Sequence, residues 1–550
     1  METFSLILII VVAVIASQPL ARLVRFLPLP ILQIMIGVAL AWPVTGGVHV
    51  EVEPELFLLL FIPPLLYADA WRAPKREYRR LLGPILSLAF GLVFFTILIF
   101  GFALHWFVPG LPLPVAFALA AVLSPTDAVA VSSIIDKEKA PKDLMHILEG
   151  ESLLNDASGL VMFRFATAAA ITGSFSLWQA SASFLWAVAG GGAAGFVALL
   201  AISRALRLLA KFDGIAPEAQ VMAMLLLPFS AYLIAEHLGA SGVLAAVVAG
   251  LGLGQSRAFS HLGVSARMLT SATWTMLSFI FNGAIFVLLG LQLPAILRRA
   301  PPQLMDLHWL WQPLGVVVIL TLCLIILRYV GISAAIFLGG IVNRLVGRKE
   351  VAHVSQRTRF AGSIAGVRGA VTLAGILSLP AAMPDGAAFP ARDLAVFLAA
   401  GVILCWLAIA TIVLPSVVGG LATSHKEAEV IEERSARIAA AEAAVQKLEA
   451  VSAAKRAEED EISVEHAAAE GLIARYRRRI AALKEGENSD NEMQASRRAE
   501  VDLRKLAIEA EREAVRDMLR RGEINDETMH KLMQEIVLSE ALSGAKAKAR

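Results

Sequence analysis

Six ionisable side chains stand inside otherwise apolar runs: Asp127, Glu151, Asp156, Arg164, Arg328 and Arg368. Charge in a bilayer interior is costly enough that each is a candidate for function, and the three carboxylates balance the three guanidinium groups. Asp127 closes the stretch Leu123-Ser124-Pro125-Thr126-Asp127. Proline removes a backbone donor and clashes with the preceding turn, so the helix is predicted to break there, freeing carbonyls and helix ends of the kind that form ion sites in transporters. A kink used only for packing would account for the proline but not for the aspartate. In Glu149-Gly150-Glu151-Ser152-Leu153-Leu154-Asn155-Asp156, Ser152 and Asp156 lie one turn apart on one helix face, and Glu151 and Asn155 on the adjoining stripe. Thr126, Asp127, Ser152 and Asp156 form an all-oxygen set suited to a small hard cation, and nothing in it suits zinc. The plainer alternative is that Asp156 only bonds a neighbouring helix.

Arg368 sits among the glycines of Gly362-Ser363-Ile364-Ala365-Gly366-Val367-Arg368-Gly369-Ala370. Small residues there permit close approach or unwinding. A buried arginine needs a partner, and Glu151, beside the oxygen set without pointing into it, is the expected one. Arg164 and Arg328 read as structural, snorkelling or holding a carbonyl.

The elements that must position these groups are membrane helices. The chain has 550 residues, 57% hydrophobic and 17% charged, with a net charge of +2 that signals neither nucleic acid nor an acidic polymer. Spans of about 20 apolar residues fall near 3–21, 27–44, 53–70, 83–106, 112–135, 143–171, 180–203, 217–236, 239–256, 269–297, 308–343, 357–380 and 391–420. Loops at 22–25, 72–80, 137–142, 204–211, 257–267 and 344–359 hold twenty Lys and Arg residues, and the alternate loops three, Arg298, Arg299 and Arg392. The positive-inside rule then puts the N-terminus outside and the tail in the cytoplasm. The two spans bearing Asp127 and Arg368, seven apart in order, fit inverted repeats with one interrupted helix in each half. The first apolar stretch lacks a basic n-region and is read as a span, not a cleaved leader. Cys323 and Cys405 lie in apolar runs, where a disulfide is not expected.

From about residue 424 to 550 the chain mixes acidic and basic residues with Ala and Leu, which favours helix. The Gly486–Asn491 stretch is expected to divide this tail into a helical hairpin. It serves solubility or assembly, with regulation by an unknown partner as the sharper alternative.

Five motifs in this order resemble the monovalent cation:proton antiporters of the first type, the sodium/proton exchangers. They are Phe61-Ile62-Pro63-Pro64-Leu65-Leu66-Tyr67, Ser124-Pro125-Thr126-Asp127, Gly150-Glu151-Ser152-Leu153-Leu154-Asn155-Asp156, Phe286-Val287-Leu288-Leu289-Gly290-Leu291 and Gly366-Val367-Arg368-Gly369-Ala370. The resemblance implies an all-α homodimer in the cell membrane, with thirteen helices per chain over residues 1–423 and no cofactor. Core spans near 83–171 and 308–420 contain two interrupted, crossing helices, and dimerisation spans lie near 3–70 and 180–297. It further implies that Thr126, Asp127, Ser152 and Asp156 hold Na+, K+ or Li+ in competition with a proton. Glu151, Asn155 and Arg368 support the site, and Asn155 marks the electroneutral branch. Three rivals are weighed beside it: a cation channel, an ion sensor signalling through the tail, and an intramembrane aspartyl protease using Asp127 and Asp156.

Overall fold

Each predicted span contains helix among the described residues. The computed structural model describes residues 2–24, 27–42, 54–108, 110–135, 140–173, 177–209, 216–253, 264–298, 312–345, 354–383, 385–419, 421, 426–456, 464–484 and parts of 503–536. The loop residues Arg25, Lys137, Lys139, Lys211, Arg257, Arg299, Arg348 and Lys349, and the Gly486–Asn491 stretch, lie outside them.

In order the helices are α1 (Glu2–Leu23), α2 (Leu29–Ala41), α3 (Pro54–Arg72), α4 (Lys75–Arg80), α5 (Leu82–Phe107), α6 (Leu113–Leu123), α7 (Ala128–Ile134), α8 (Lys142–Thr172) and α9 (Leu177–Leu209). They continue with α10 (Pro217–His237), α11 (Gly242–Leu253), α12 (Val264–Arg298), α13 (Gln312–Leu345), α14 (Gln356–Ile364), α15 (Ala370–Leu377) and α16 (Arg392–Val418). Helices α17 (Lys426–Arg456) and α18 (Val464–Lys484) belong to the tail. Among the described residues, seven helices are long and apolar enough to cross a membrane, or eight if the bent pair α6 and α7 is one span.

The outward faces are apolar, as lipid requires: Leu8, Val12 and Ile15 on α1, Phe337 and Leu338 on α13, and Ile412 on α16 are exposed. Trp106 and Phe107, at the end of α5, and Trp178, at the start of α9, are also exposed, in the manner of interfacial aromatic anchors. This is a multi-pass membrane protein.

Inside, the apolar side chains collect in separate clusters. One runs through α5 to α8 and α13 to α16 and contains Phe100, Leu119, Leu324 and Trp406. A second joins α1, α2, α3, α11 and α12 and takes in Leu153 and Ala157 of α8 and Ala374 of α15, and a third joins α3 with α9 to α12. The chain forms two compact units, Met1–Thr423 and Ser424–Arg550. In the second, α17 and α18 pair antiparallel, with ion pairs Arg477–Glu449 at 2.7 Å and Lys484–Glu442 at 2.8 Å fixing the register. The hairpin thus forms on the N-terminal side of the expected Gly486–Asn491 division.

Candidate functional site

Proline and glycine break two helices where they meet. Between α6 and α7 the chain leaves helical hydrogen bonding at Ser124–Asp127 and turns by 50°. Between α14 and α15 it does so at Ala365–Gly369. The breaks cross, and the Asp127 backbone N–H donates to the Val367 carbonyl at 2.7 Å.

Each break is stitched by charge where a helix end has unpaired backbone groups. Asp127 caps α7, its Oδ1 accepting from the N–H groups of Val129 and Ala130 at 2.8 and 3.0 Å. A carboxylate suits the positive end of the helix dipole, and a cation suits the negative end. Arg368 supplies the latter, donating to the Ser124 and Pro125 carbonyls at 3.0 and 2.9 Å. Its guanidinium lies 4.5 Å from the Trp406 ring centre.

The expected Glu151–Arg368 pair is not what forms. Glu151 is taken by Arg328, whose two terminal nitrogens donate to the two carboxylate oxygens at 2.6 and 2.7 Å, while its Nε donates to the Gly362 carbonyl at 3.0 Å. This fork-to-fork geometry is the strongest a carboxylate can find. Arg368 is instead drawn to the Ser124 and Pro125 carbonyls, which the end of α6 leaves without helical partners. Gly366 makes room for Arg328, since a Cβ there would lie 2.5 Å from its Cδ. Arg164, likewise read as structural, pairs with Glu236.

Helix α8 presents its two stripes as the spacing predicts. Glu151 and Asn155 are buried away from the cavity, and Ser152 and Asp156 line it. Ser152 Oγ donates to the Thr126 carbonyl at 2.8 Å and accepts from the Ala128 N–H at 3.3 Å. Asn155 Nδ2 donates to Thr126 Oγ1 at 2.9 Å. Behind it, Ser158 bonds the Asn155 carbonyl and the carbonyl of Ala89, both at 2.9 Å. Ala89 lies in a π-helical stretch of α5, Ser87–Leu92, so that irregularity also faces the site.

The cavity, about 50 Å³, is bordered by Thr126, Asp127, Ser152 and Asp156. At roughly 10–15 Å³ for one water, it has room for a small cation with a few waters. Asp127 and Asp156, with Asp69 also on the border, and several neutral oxygens suit a hard ion held reversibly. Among the described residues no three His, Cys, Asp or Glu side chains converge as a tight metal site would need.

The family described as sodium/hydrogen exchanger, transmembrane, matches residues 7–419. The chain belongs to the sodium/hydrogen exchanger family. It is 42% identical over 551 residues to an uncharacterized Na+/H+ exchanger of Escherichia coli strain K12, covering 98% of this chain and 99% of that one. It is 38% identical over 539 residues to a sodium, potassium, lithium and rubidium/H+ antiporter of Bacillus subtilis, covering 97% and 77%. The solved structure of the sodium proton antiporter MjNhaP1 from Methanocaldococcus jannaschii at pH 8 shares the fold, with a TM-score of 0.55 and 19% identity over 77% of this chain and 99% of that one. The protein is a transporter, not an enzyme.

Three lining residues of this exchanger were not legible as site residues: Asp69, Asn282 and Thr372. Asp69 stands in the last turn of its helix, at the edge of the predicted 53–70 span, where an acid reads as belonging to the water-exposed end. Its signal was its position just beyond the Phe61–Tyr67 motif. Asn282 and Thr372 are neutral and carry no signal in an apolar run.

Gly369 yields a direct test. A Cβ on it would lie 1.9 Å from Asp127 Oδ2, so Gly369→Ala must push Asp127 out of place. Overpacking of this kind costs about 1–3 kcal/mol. Borne by the ion-binding state, that lowers apparent cation affinity by roughly 5- to 150-fold, measurable as a raised half-saturating concentration in an exchange assay.

Proposed function

We propose that this protein exchanges one monovalent cation for one proton across the cell membrane, with Na+ the principal substrate and K+ and Li+ also accepted. The observation that carries the proposal is the placing of Asp156 beside Asp127, Thr126 and Ser152 in a small cavity where two interrupted helices cross. A carboxylate there holds either a cation or a proton. That competition couples the two fluxes without any further device. The Bacillus subtilis relative, named for antiport of four alkali cations, supports a broad choice of ion.

Asn155, a fully buried amide tied to Thr126, supports an electroneutral exchange. It cannot titrate, so the site offers no second acid next to Asp156 on α8. Alternating access is by an elevator-like shift of one body, α5 to α8 with α13 to α16, against a scaffold of α1 to α3 and α9 to α12. The apolar clusters support that division in the main: one is built chiefly from the first group and another from α3 with α9 to α12, while Ile34, Phe286 and Leu289 on one side and Leu153, Ala157 and Ala374 on the other lie where the two groups pack together. Two copies join through the scaffold, the tail faces the cytoplasm and the N-terminus lies outside.

A pH-sensitive dye trapped in proteoliposomes tests this. Adding Na+, K+ or Li+ outside should alkalinise the interior at a rate independent of clamped voltage. The half-saturating cation concentration should fall as pH rises, since fewer protons compete. Voltage-dependent current without obligatory proton movement would instead identify a channel.

A further inference from the structure

The ion pair left unused by the site joins the two bodies. Arg164 belongs to α8, whose neighbours Phe163 and Ala166 pack in the cluster of the moving body. Glu236 belongs to α10, whose Ala231 and Ala235 pack in the scaffold. Arg164 Nη2 donates to Glu236 Oε1 at 3.1 Å and to Oε2 at 3.3 Å, and Nη1 donates to Oε2 at 3.3 Å.

The pair also has a definite side. Helix α8 starts at Lys142, beside a basic tail-side loop, and at 1.5 Å per residue Arg164 lies roughly 33 Å along it. Glu236 lies roughly 28 Å from the start of α10 at Pro217, which also follows a tail-side loop. Both therefore stand toward the face opposite the tail. The cavity reaches the other way, since Asp69 on its border is less than a turn from Arg72, which ends α3 just before the basic α4. The site faces the tail side while the bodies are clasped on the far side.

Exposure separates this pair from Glu151–Arg328. The latter is sealed, with side chains 1% and 3% exposed, and breaking it would strand a charge. The side chains of Arg164 and Glu236 are 59% and 29% exposed, so each can be resolvated when they part. A sealed pair braces one body; a half-exposed pair across two bodies can open and close with each cycle.

The geometry points to Arg164–Glu236 as a latch that closes the face opposite the tail and holds the exchanger with its site open to the tail side. The latch rests on the moving-body reading above, and its test separates the two. In the full chain with Cys323 and Cys405 replaced by Ala, Val129→Cys places a thiol on the cavity border. Its labelling by a membrane-impermeant reagent is timed from each face of oriented vesicles.

The parent should label mainly from the tail side. R164Q and E236Q should each raise the rate from the opposite face by about fivefold, the upper range for an exposed ion pair. The exchanged pair R164E/E236R should return it toward the parent value, as a latch needs the attraction and not its polarity. Single variants that melt earlier but leave both labelling rates unchanged would make the pair a static brace and overturn the latch. Failure of the exchanged pair to restore the parent rate would overturn it as well. If the thiol is never reached from the opposite face in any variant, even under a cation gradient, the moving-body reading falls and takes the latch with it.

Discussion

Asp156→Asn should reduce cation-driven proton movement to the level of empty liposomes while the purified protein folds and melts as before. The substitution keeps the side-chain shape and removes the group that can hold a proton or balance a cation. Asp127 cannot take over fully, because its Oδ1 is engaged by the Val129 and Ala130 N–H groups of α7 and its other oxygen is confined against Gly369. That carboxylate is part of the framework as well as of the site. Asp127→Ala should therefore remove the helix cap, a feature worth about 1 kcal/mol, along with ion binding, whereas Asp156→Asn should affect transport alone. The pair of variants, compared by dye-loaded proteoliposomes and thermal unfolding, assigns the two roles. Exchange that survives in the Asp156→Asn protein would move the carrier role to Asp127 or to Asp69.

Much of the framework was readable because it follows from local chemistry. Pro125 cannot donate to a helix, so the break at 124–127 was visible, and the i, i+4 spacing fixed which of Ser152, Asp156, Glu151 and Asn155 share a face. What could not be read was pairing across long sequence separations. Three intramembrane arginines of equal apolarity offered themselves to Glu151, and choosing among them requires knowing how α13 packs on α8. The glycines around Arg368 pointed correctly to close approach, but what approaches is Arg328 at Gly366 and Asp127 at Gly369. Asp69 escaped for a different reason. An acid near a helix end is normally solvated, and only the fold turns it onto the cavity.

Replacing Arg328 should damage stability more specifically than replacing Arg368, and the difference can be isolated. Glu151 is buried, and its charge is met by Arg328 through two short bonds. Arg328→Met keeps much of the volume but strands the carboxylate, and breaking a buried pair this way costs about 3–5 kcal/mol. Neutralising the survivor should recover part of that loss, since removing both charges of a buried pair is often close to neutral. Arg328→Met with Glu151→Gln is therefore expected to be more stable than Arg328→Met alone. Arg368→Met should also destabilise, but by releasing the Ser124 and Pro125 carbonyls, and Glu151→Gln should bring it no recovery. A double-mutant cycle on unfolding in detergent distinguishes these cases, because only residues that share an interaction depart from additivity. Coupling of Glu151 to Arg328 but not to Arg368 places the ion pair within one body, bracing α8 against α13 so that Ser152 and Asp156 keep their position beside the broken helices. Strong coupling to Arg368 would mean that the two arginines exchange partners during the cycle, and the brace would then be part of the motion.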